Sequence, residues 1–398
     1  MLSEAPSSIH PILKTVLPNG LSILLKPMAV EGSLVGLVIK GGSIENRRQG
    51  YPDGTAHLLE HALIDQISPR IREELHINGK TSNTHVSIYG YSLQSKSNEI
   101  VQELLSTVNK PVTEKNITEE MPRILREIEQ VRETSSDHKE KFISAVQKDT
   151  AIHNSTILGT EKTLQHVTKG HLQKFLNSTL IPGNVLLVGI GNLDIPEILK
   201  TANSFQIPKL VPCKDSAASD AQIPGESTKE PINKVQNRSS HGEILVGYKI
   251  PWKRDIKAYA AYLAISYSIQ KNLDPELKIV PHLSYTQEGG LLYFSLPREK
   301  YTSKEEFTST IEQASKSVLE DIYKIAPLKE KGLSLPLLEV PCYLFSIGLG
   351  TLTVDDLFKE VQNLNKSDIS DGLAIFTTSN CHVSTEYDNL QIPAKDQK

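Results

Sequence analysis

The pattern H-x-x-E-H at residues 57–61, set inside an apolar run, constrains the fold of this chain more than any other feature. In a helix, side chains four residues apart lie one turn apart on the same face, so both imidazoles can reach one metal ion. Glu60 shares that face. Most other residues between 56 and 64 are apolar, and a helix that is apolar nearly all round is buried. The pattern therefore predicts a buried helix; the alternative is a surface helix with two solvated histidines.

The chemistry of these residues indicates a metal site. Two buried histidines and a buried glutamate need polar partners, and a metal ion supplies them together. Two neutral nitrogen ligands, His57 and His61, with a nearby base such as Glu60, are what a zinc hydrolase needs. The order H-x-x-E-H reverses the commoner H-E-x-x-H and is the inverzincin signature. We therefore predict a zinc site on this helix.

Length, charge and cysteine usage exclude several classes of function. A chain of 398 residues suits two domains. The net charge is −4 and no dense stripe of Lys and Arg is visible, which argues against nucleic acid or an anionic membrane as partner. The longest apolar runs have the length of strands, so no membrane span is expected. Three distant cysteines, Cys213, Cys342 and Cys381, and the lack of a secretory signal indicate a reduced, cytoplasmic protein.

Composition divides the chain into two domains and a linker. Residues 206–240 are rich in Pro, Ser, Lys, Asp and Asn and poor in large apolar residues, as is typical of a linker. We predict an N-terminal domain at 1–205 and a C-terminal domain at 241–398. The order of strand, helix and strand in the second domain loosely repeats that of the first. The second domain has no H-x-x-E-H pattern.

A zinc site with two histidines needs one more protein ligand and an open position for water. Glu120 and Glu127 lie seven residues apart on a predicted helix, which is two turns, so both occupy one face. On spacing alone, an ordinary solvated glutamate-rich helix explains this pair better than a metal ligand does.

Several motifs, in this order along the chain, resemble those of the M16 family of zinc peptidases, which includes pitrilysin, insulinase and the mitochondrial processing peptidase. The resemblance covers about residues 12–200 and, more weakly, 240–300. Its motifs are L-P-N-G-L at 17–21, G-G-S-I-E at 41–45, G-T-A-H-L-L-E-H at 54–61, E-x6-E at 120–127, and shorter matches at 157–161, 167–175 and 182–193.

This resemblance implies a fold and a ligand set. The fold is α+β, with two similar domains that each have a mostly antiparallel sheet and helices packed on one face. His57, His61 and Glu127 would be the ligands of one zinc ion per chain. Glu60 would be the general base, and Glu120 would orient a ligand histidine.

The resemblance also indicates the remaining parts of the active site. The family has an Arg/Tyr pair in a C-terminal domain, and Lys278 and Tyr285 have the same spacing here, although Lys replaces Arg. A lysine is a point donor without the planar fork of arginine. An ordinary structural role for Tyr285 is an equally good interpretation. Residues 79–85 correspond to an edge that pairs with extended substrate, and Asn83 is a candidate for substrate contact.

Size and the Lys278 substitution bear on assembly and function. Large family members enclose substrate with four such domains, whereas this chain has two, so a chamber requires a heterodimer with a related M16-like subunit or a homodimer. Bacterial two-subunit members process ribosomally made peptides such as bacteriocin precursors. The leading hypothesis is a zinc metalloendopeptidase acting on peptides or unfolded segments. The alternatives are a non-catalytic scaffold of the same fold and a zinc-dependent peptide-binding subunit.

Overall fold

The computed structural model describes residues 11–94, 96–132, 135–147, 156–207, 243–273, 275–322 and 333–384, which form two compact units. The boundary between residues 212 and 213 falls inside the predicted linker at 206–240, of which residues 208–240 lie outside the described residues. Two further segments exchange units. Residues 132–154 belong to unit 2, although the residues on either side of them belong to unit 1, and residues 327–356 belong to unit 1, although their neighbours belong to unit 2. Unit 1 comprises Met1–Val131, Ser155–Pro212 and Pro327–Asp356; unit 2 comprises Arg132–Asn154, Cys213–Ala326 and Leu357–Lys398.

The strands form one sheet in each unit. The order in unit 1 is β1-β2-β6-β3-β5-β4, with all neighbours antiparallel except the parallel pair β2–β6. The order in unit 2 is β10-β7-β9-β8, with all neighbours antiparallel. The strands are β1 (Leu13–Val16), β2 (Ser22–Pro27), β3 (Ser33–Lys40), β4 (Asn78–Thr81), β5 (His85–Ser92), β6 (Val185–Gly191), β7 (Glu243–Ile250), β8 (Val280–Thr286), β9 (Gly289–Pro297) and β10 (Cys381–Val383).

The helices are mostly short and amphipathic. Short 3-10 turns also occur at Pro275–Leu277, Arg298–Lys300 and Thr378–Asn380. The α-helices are α1 (Ser43–Arg48), α2 (Thr55–Asp65), α3 (Pro69–Glu74), α4 (Ser97–Asn109), α5 (Glu114–Arg132), α6 (Ser135–Val146), α7 (Glu161–Leu164), α8 (Lys169–Thr179), α9 (Ile195–Ser204), α10 (Ile256–Asn272), α11 (Lys304–Ala314), α12 (Val318–Ile322), α13 (Leu335–Ser346), α14 (Val354–Gln362) and α15 (Lys366–Leu373).

The first hairpin of unit 1 forms where the sequence predicts it. Asn19 and Gly20 connect β1 and β2, and Gly20 has a φ of 84°, a left-handed conformation that residues with a Cβ rarely adopt. The Asn19 side chain also donates to the backbone carbonyls of Ala202 and Phe205, which ties the turn to the end of α9.

Both faces of the unit 1 sheet are covered. Alternate residues of β3, such as Val35 and Leu37, are fully buried with α2 and α4 in one apolar cluster. On the opposite face, α13 packs on β3 and β6, and a Cβ added to Gly36 would lie 3.1 Å from Leu338. Each fully buried Leu or Ile contributes about 1.5–3 kcal/mol to folding. This core contains β3 and β5. Strand β4 is hydrogen-bonded only to β5 within the described sheet, so it forms an edge of the sheet, and it contacts α2.

Unit 2 repeats the arrangement on a smaller scale. Phe142 of α6 packs on Leu245, Leu291 and Tyr293 of the sheet. On the other face, Tyr248 and Phe294 make edge-to-face ring contacts that extend to Phe307 of α11. The predicted fold class, α+β with two units that each have a mostly antiparallel sheet and packed helices, is confirmed. The structure adds a helix on the second face of each sheet.

Within the residues that the structure describes, no helix combines the length and the apolar character needed to cross a membrane.

Candidate metal centre

Helix α2 carries the H-x-x-E-H pattern and is buried, as its apolar character predicts. It begins after Gly54, which has a φ of 89° and packs against Leu158 and Gly159 so closely that a Cβ would collide. Leu58, Leu59, Ala62 and Leu63 are at most 1% exposed. His57 and Glu60 are also buried, at 4% and 5% exposure. Burial of most of the helix restricts the directions that its polar side chains can take.

The three predicted ligands lie together. The Nε2 atoms of His57 and His61 are each 3.5 Å from the same carboxylate oxygen, Oε2 of Glu127 on α5. One ligand atom from each residue lies within 4.8 Å of the other two. Two imidazole nitrogens and one carboxylate oxygen are a donor set that suits zinc, with a further coordination position left for water.

The pKa shifts of two of the three residues, His57 and Glu127, favour the protonation states that bind a metal ion. Burial, aided by the charge of His61, lowers the pKa of His57 to about 4, so the neutral form that binds metals is favoured. The hydrogen bond to His61 lowers the pKa of Glu127, which keeps this carboxylate ionised. The side chains of Glu127 and His61 are 41% and 19% exposed, so the site is open to solvent on this side. The donor set therefore fits a divalent cation that solvent can reach.

Glu120 lies behind the ligands on the same face of α5 as Glu127. Its Oε2 is 3.0 Å from Nδ1 of His61, and its Oε1 accepts a hydrogen bond from the guanidinium of Arg123. A proton held on Nδ1 by this carboxylate leaves Nε2 free to bind a metal. Glu120 is only 2% exposed. Sequence reasoning did not single out Arg123, although its i+3 spacing from Glu120 is a signal for such a pair.

Glu60 is held against the edge strand β4. Its Oε2 accepts a hydrogen bond of 2.8 Å from the hydroxyl of Thr81. Burial raises the pKa of Glu60 to about 7, an effect that the positive charge of His61 opposes. A Cβ added to Gly79 would come within 2.5 Å of Oε1, so the backbone of β4 lies directly on the carboxylate. Sequence reasoning missed Thr81, because the contact depends on the pairing of β4 with β5.

Asn83 lies in the turn after β4 and does not belong to the edge strand. Its Oδ1 accepts a hydrogen bond of 2.8 Å from the Ser43 hydroxyl, and its backbone carbonyl accepts one from the N–H of Ile44. These contacts connect the turn to the start of α1. They favour a structural role for Asn83, and the open backbone edge lies instead at β4 itself.

Lys278 and Tyr285 belong to unit 2. Tyr285 is 1% exposed, and its hydroxyl accepts a hydrogen bond of 3.0 Å from the backbone N–H of Lys253. The rings of Trp252, Tyr259 and Tyr262 surround it. Lys278 is exposed and follows the 3-10 turn at Pro275–Leu277 with a φ of 51°. These contacts favour the structural interpretation of Tyr285 and leave the Lys278 ammonium in solvent.

The geometry first defines a class. A unit whose sheet is flanked by an H-x-x-E-H helix, with a glutamate of a second helix beside both histidines, has residues of the types that could serve as the ligands of an inverzincin. The family model described as Insulinase (Peptidase family M16) matches residues 23–161, which include the H-x-x-E-H helix and Glu127. This part of the chain is therefore similar to the M16 peptidase family.

Relatives and solved structures agree with this assignment. An uncharacterized zinc protease of Rickettsia felis is 29% identical over 199 residues, which is 47% of this chain and 47% of that protein. The mitochondrial-processing peptidase subunit beta of Caenorhabditis elegans is 28% identical over 206 residues, covering 48% and 43%. The matched region thus spans about half the length of these curated relatives.

Two crystal structures share the fold over nearly the whole chain. An M16-like peptidase from Alicyclobacillus acidocaldarius superposes with a TM-score of 0.68 at 16% identity, covering 96% of this chain and 99% of that one. An M16 inactive domain from Pseudomonas fluorescens superposes with a TM-score of 0.66 at 12% identity, covering 94% and 97%. At such identities the likeness concerns the fold alone.

Proposed function

We propose that this protein is a zinc metalloendopeptidase that hydrolyses peptides or unfolded segments. The observation that carries the proposal is the convergence of His57, His61 and Glu127 on one point, with the buried carboxylate of Glu60 on the same helix face. The family assignment and the zinc protease relatives support the same chemistry.

The roles of the residues follow from their contacts. His57, His61 and Glu127 would hold one zinc ion, and Glu120 would orient His61 through its Nδ1. Zinc in such a site lowers the pKa of a bound water to about 7 and polarises a carbonyl. Glu60 would accept a proton from the attacking water and later pass it to the leaving amine of the peptide.

The proposed substrate-binding surface is the open edge of β4. Its second edge pairs with no strand in the described part of unit 1, and Glu60 lies against its face. An extended peptide that paired with this edge would bind through its backbone, which explains tolerance for varied side chains. Asn83, in the turn that follows, remains a proposed contact at the end of this edge.

The remaining half of the active site is proposed to require a second chain. Lys278 and Tyr285 are the proposed donors to the developing oxyanion, but the Tyr285 hydroxyl already bonds the backbone at Lys253. A related M16-like subunit could supply this function, as in a heterodimer, and a homodimer is the other possibility. The name of the Caenorhabditis elegans relative, a subunit beta, supports a paired arrangement. Maturation of a ribosomally made peptide, such as a bacteriocin precursor, is the proposed use of such a pair.

We expect the assembly state to govern activity. Light scattering should show a species of about 88 kDa for a dimer of this 44.1 kDa chain, either alone or mixed with an M16-like protein from the same cell. Peptide cleavage should appear only in the fractions that contain this species. A monomer that cleaves peptides at the full rate would contradict the two-chain chamber.

A non-catalytic scaffold or a zinc-dependent peptide-binding subunit is the alternative function. It is favoured by the M16 inactive domain that shares the fold. The retained set of Glu60 with three potential ligands argues against it, since a scaffold has no need for a base beside a metal site.

Removal of metal distinguishes a zinc peptidase from a scaffold or a peptide-binding subunit. Purified protein should contain about one zinc ion per chain, and a strong chelator should abolish cleavage of an unstructured test peptide. Cleavage should return when a stoichiometric amount of zinc is added back. A zinc-loaded assembly that binds the peptide but leaves it uncut would favour the binding subunit.

A further inference from the structure

Strand β4 presents different side chains to the helices on its two faces. Gly79 and Thr81 face α2, because side chains alternate along a strand and both residues lie against Glu60. Lys80 faces the other way, and its Nζ lies 2.7 Å from Oε1 of Glu339 on α13. The strand therefore contacts a helix on each side, besides its hydrogen bonds to β5.

These contacts determine where the Thr81 hydroxyl lies. The pairing of Thr81 with Val86 sets its register on β5, and Val86 is 1% exposed within the core. A shift of one residue would turn Thr81 to the opposite face. The hydroxyl is thus supported by the sheet, and its distance of 2.8 Å to Glu60 Oε2 is that of a well-formed hydrogen bond.

Glu60 has rotatable bonds of its own, so burial alone leaves the direction of its carboxylate variable. A base must lie within hydrogen-bond reach of the proton that it accepts. A hydroxyl that donates to one carboxylate oxygen restricts this freedom and leaves the second oxygen, Oε1, for the reaction. Oε1 lies over Gly79, where the missing side chain provides the space.

We propose that Thr81 is the positioning residue for Glu60, so that the edge strand expected to bind substrate also orients the base. This inference rests on the proposed function. A peptide that pairs with β4 and a base held by β4 share one rigid frame, which keeps the scissile bond and the carboxylate in register. Loss of the Thr81 hydroxyl should then slow the chemical step without weakening substrate or zinc binding.

The test compares Thr81→Val with Thr81→Ser. Thr81→Val keeps the size of the side chain but removes the hydroxyl, and kcat should fall about 10- to 100-fold, the loss expected from a misaligned catalytic group. KM should stay within about twofold of the wild-type value, since the backbone edge is intact. Zinc content should remain at the wild-type level. Thr81→Ser restores the donor and should recover most of kcat.

Thr107→Val is the matched control. Thr107 is a buried threonine whose hydroxyl donates to the backbone carbonyl of Leu63, so it also bonds α2, but it bonds the helix backbone and not the Glu60 carboxylate. Its loss should lower Tm and leave kcat unchanged. If Thr81→Val lowers kcat no more than Thr107→Val does, Thr81 only stabilises the fold and the inference is wrong.

A binding measurement distinguishes positioning from substrate contact. In the Glu60→Gln background, adding Thr81→Val should leave the affinity for a fluorescent test peptide unchanged, measured by anisotropy on the zinc-loaded assembly. A weaker affinity in the double variant would make Thr81 a substrate-binding residue and overturn the proposal. If the wild-type assembly cleaves no peptide at all, the proposed function itself fails, and this inference with it.

Discussion

Glu60→Gln is expected to retain zinc and to lose cleavage, with kcat reduced about 10²- to 10⁴-fold. The amide has the same shape as the carboxylate and can still accept the hydrogen bond from Thr81. The amide cannot accept a proton at neutral pH, so the attacking water is not deprotonated by this side chain. Stopped assays on a labelled peptide, with metal content measured on the same sample, check both halves of the expectation.

The informative comparison is with an acidic residue outside the site. Glu129 is exposed on α5, and Glu129→Gln removes the same charge from the same unit without touching the ligands. Its activity should match that of the wild-type protein. Full activity in Glu60→Gln would eliminate Glu60 as the base, whereas loss of zinc in this variant would instead make Glu60 part of the metal site.

Glu127→Ala should lose most of its affinity for zinc. The carboxylate would contribute one of the three proposed ligand atoms, and its Oε2 lies 3.5 Å from Nε2 of both histidines. Loss of an outer-shell partner already costs about 10- to 100-fold in metal affinity, and loss of a direct ligand should cost more than about 100-fold. Competition with a chromophoric chelator gives the affinity directly, without reference to activity.

Two other variants of helix α5 provide comparisons for the zinc affinity of Glu127→Ala. Glu129→Ala should bind zinc as the wild-type protein does, because its side chain is in solvent. Glu120→Gln should lie between the two, since it keeps its hydrogen bond to His61 but loses the charge. If Glu127→Ala holds zinc as tightly as Glu129→Ala, the third ligand has been misassigned.

The local features of the site could be predicted from the sequence because they depend on periodicity within single elements. The spacing of His57 and His61 places both on one helical face, and the apolar neighbours bury that helix. The hairpin at Asn19 and Gly20 is likewise a matter of local backbone preference. Glu120 and Glu127 share a face of α5 for the same reason. That they lie near α2 could be expected only from the family resemblance.

Features that depend on distant segments could not be predicted in this way. The segment containing α13 begins at Pro327, far along the chain from the last strand of the unit 1 sheet, which ends at Gly191, yet it covers one face of that sheet. The site residue Thr81 was missed because β4 is only four residues long and its sequence, N-G-K-T, shows no alternation of apolar and polar residues. The predicted edge at residues 79–85 includes most of β4, but a sequence does not show where an edge strand ends, and Asn83 lies in the turn that follows.

The sequence by itself determined the resemblance to the M16 family, the buried H-x-x-E-H helix and the identity of the residues on its polar face, because a helix fixes the relative directions of residues three and four apart. Only the tertiary structure decided that Glu127 meets both histidines, that Arg123 and Glu120 support His61, and that Thr81 holds Glu60. These contacts join α2 to α5 and to β4. They depend on how the elements pack across the core, and the spacing of residues along the chain does not specify that packing.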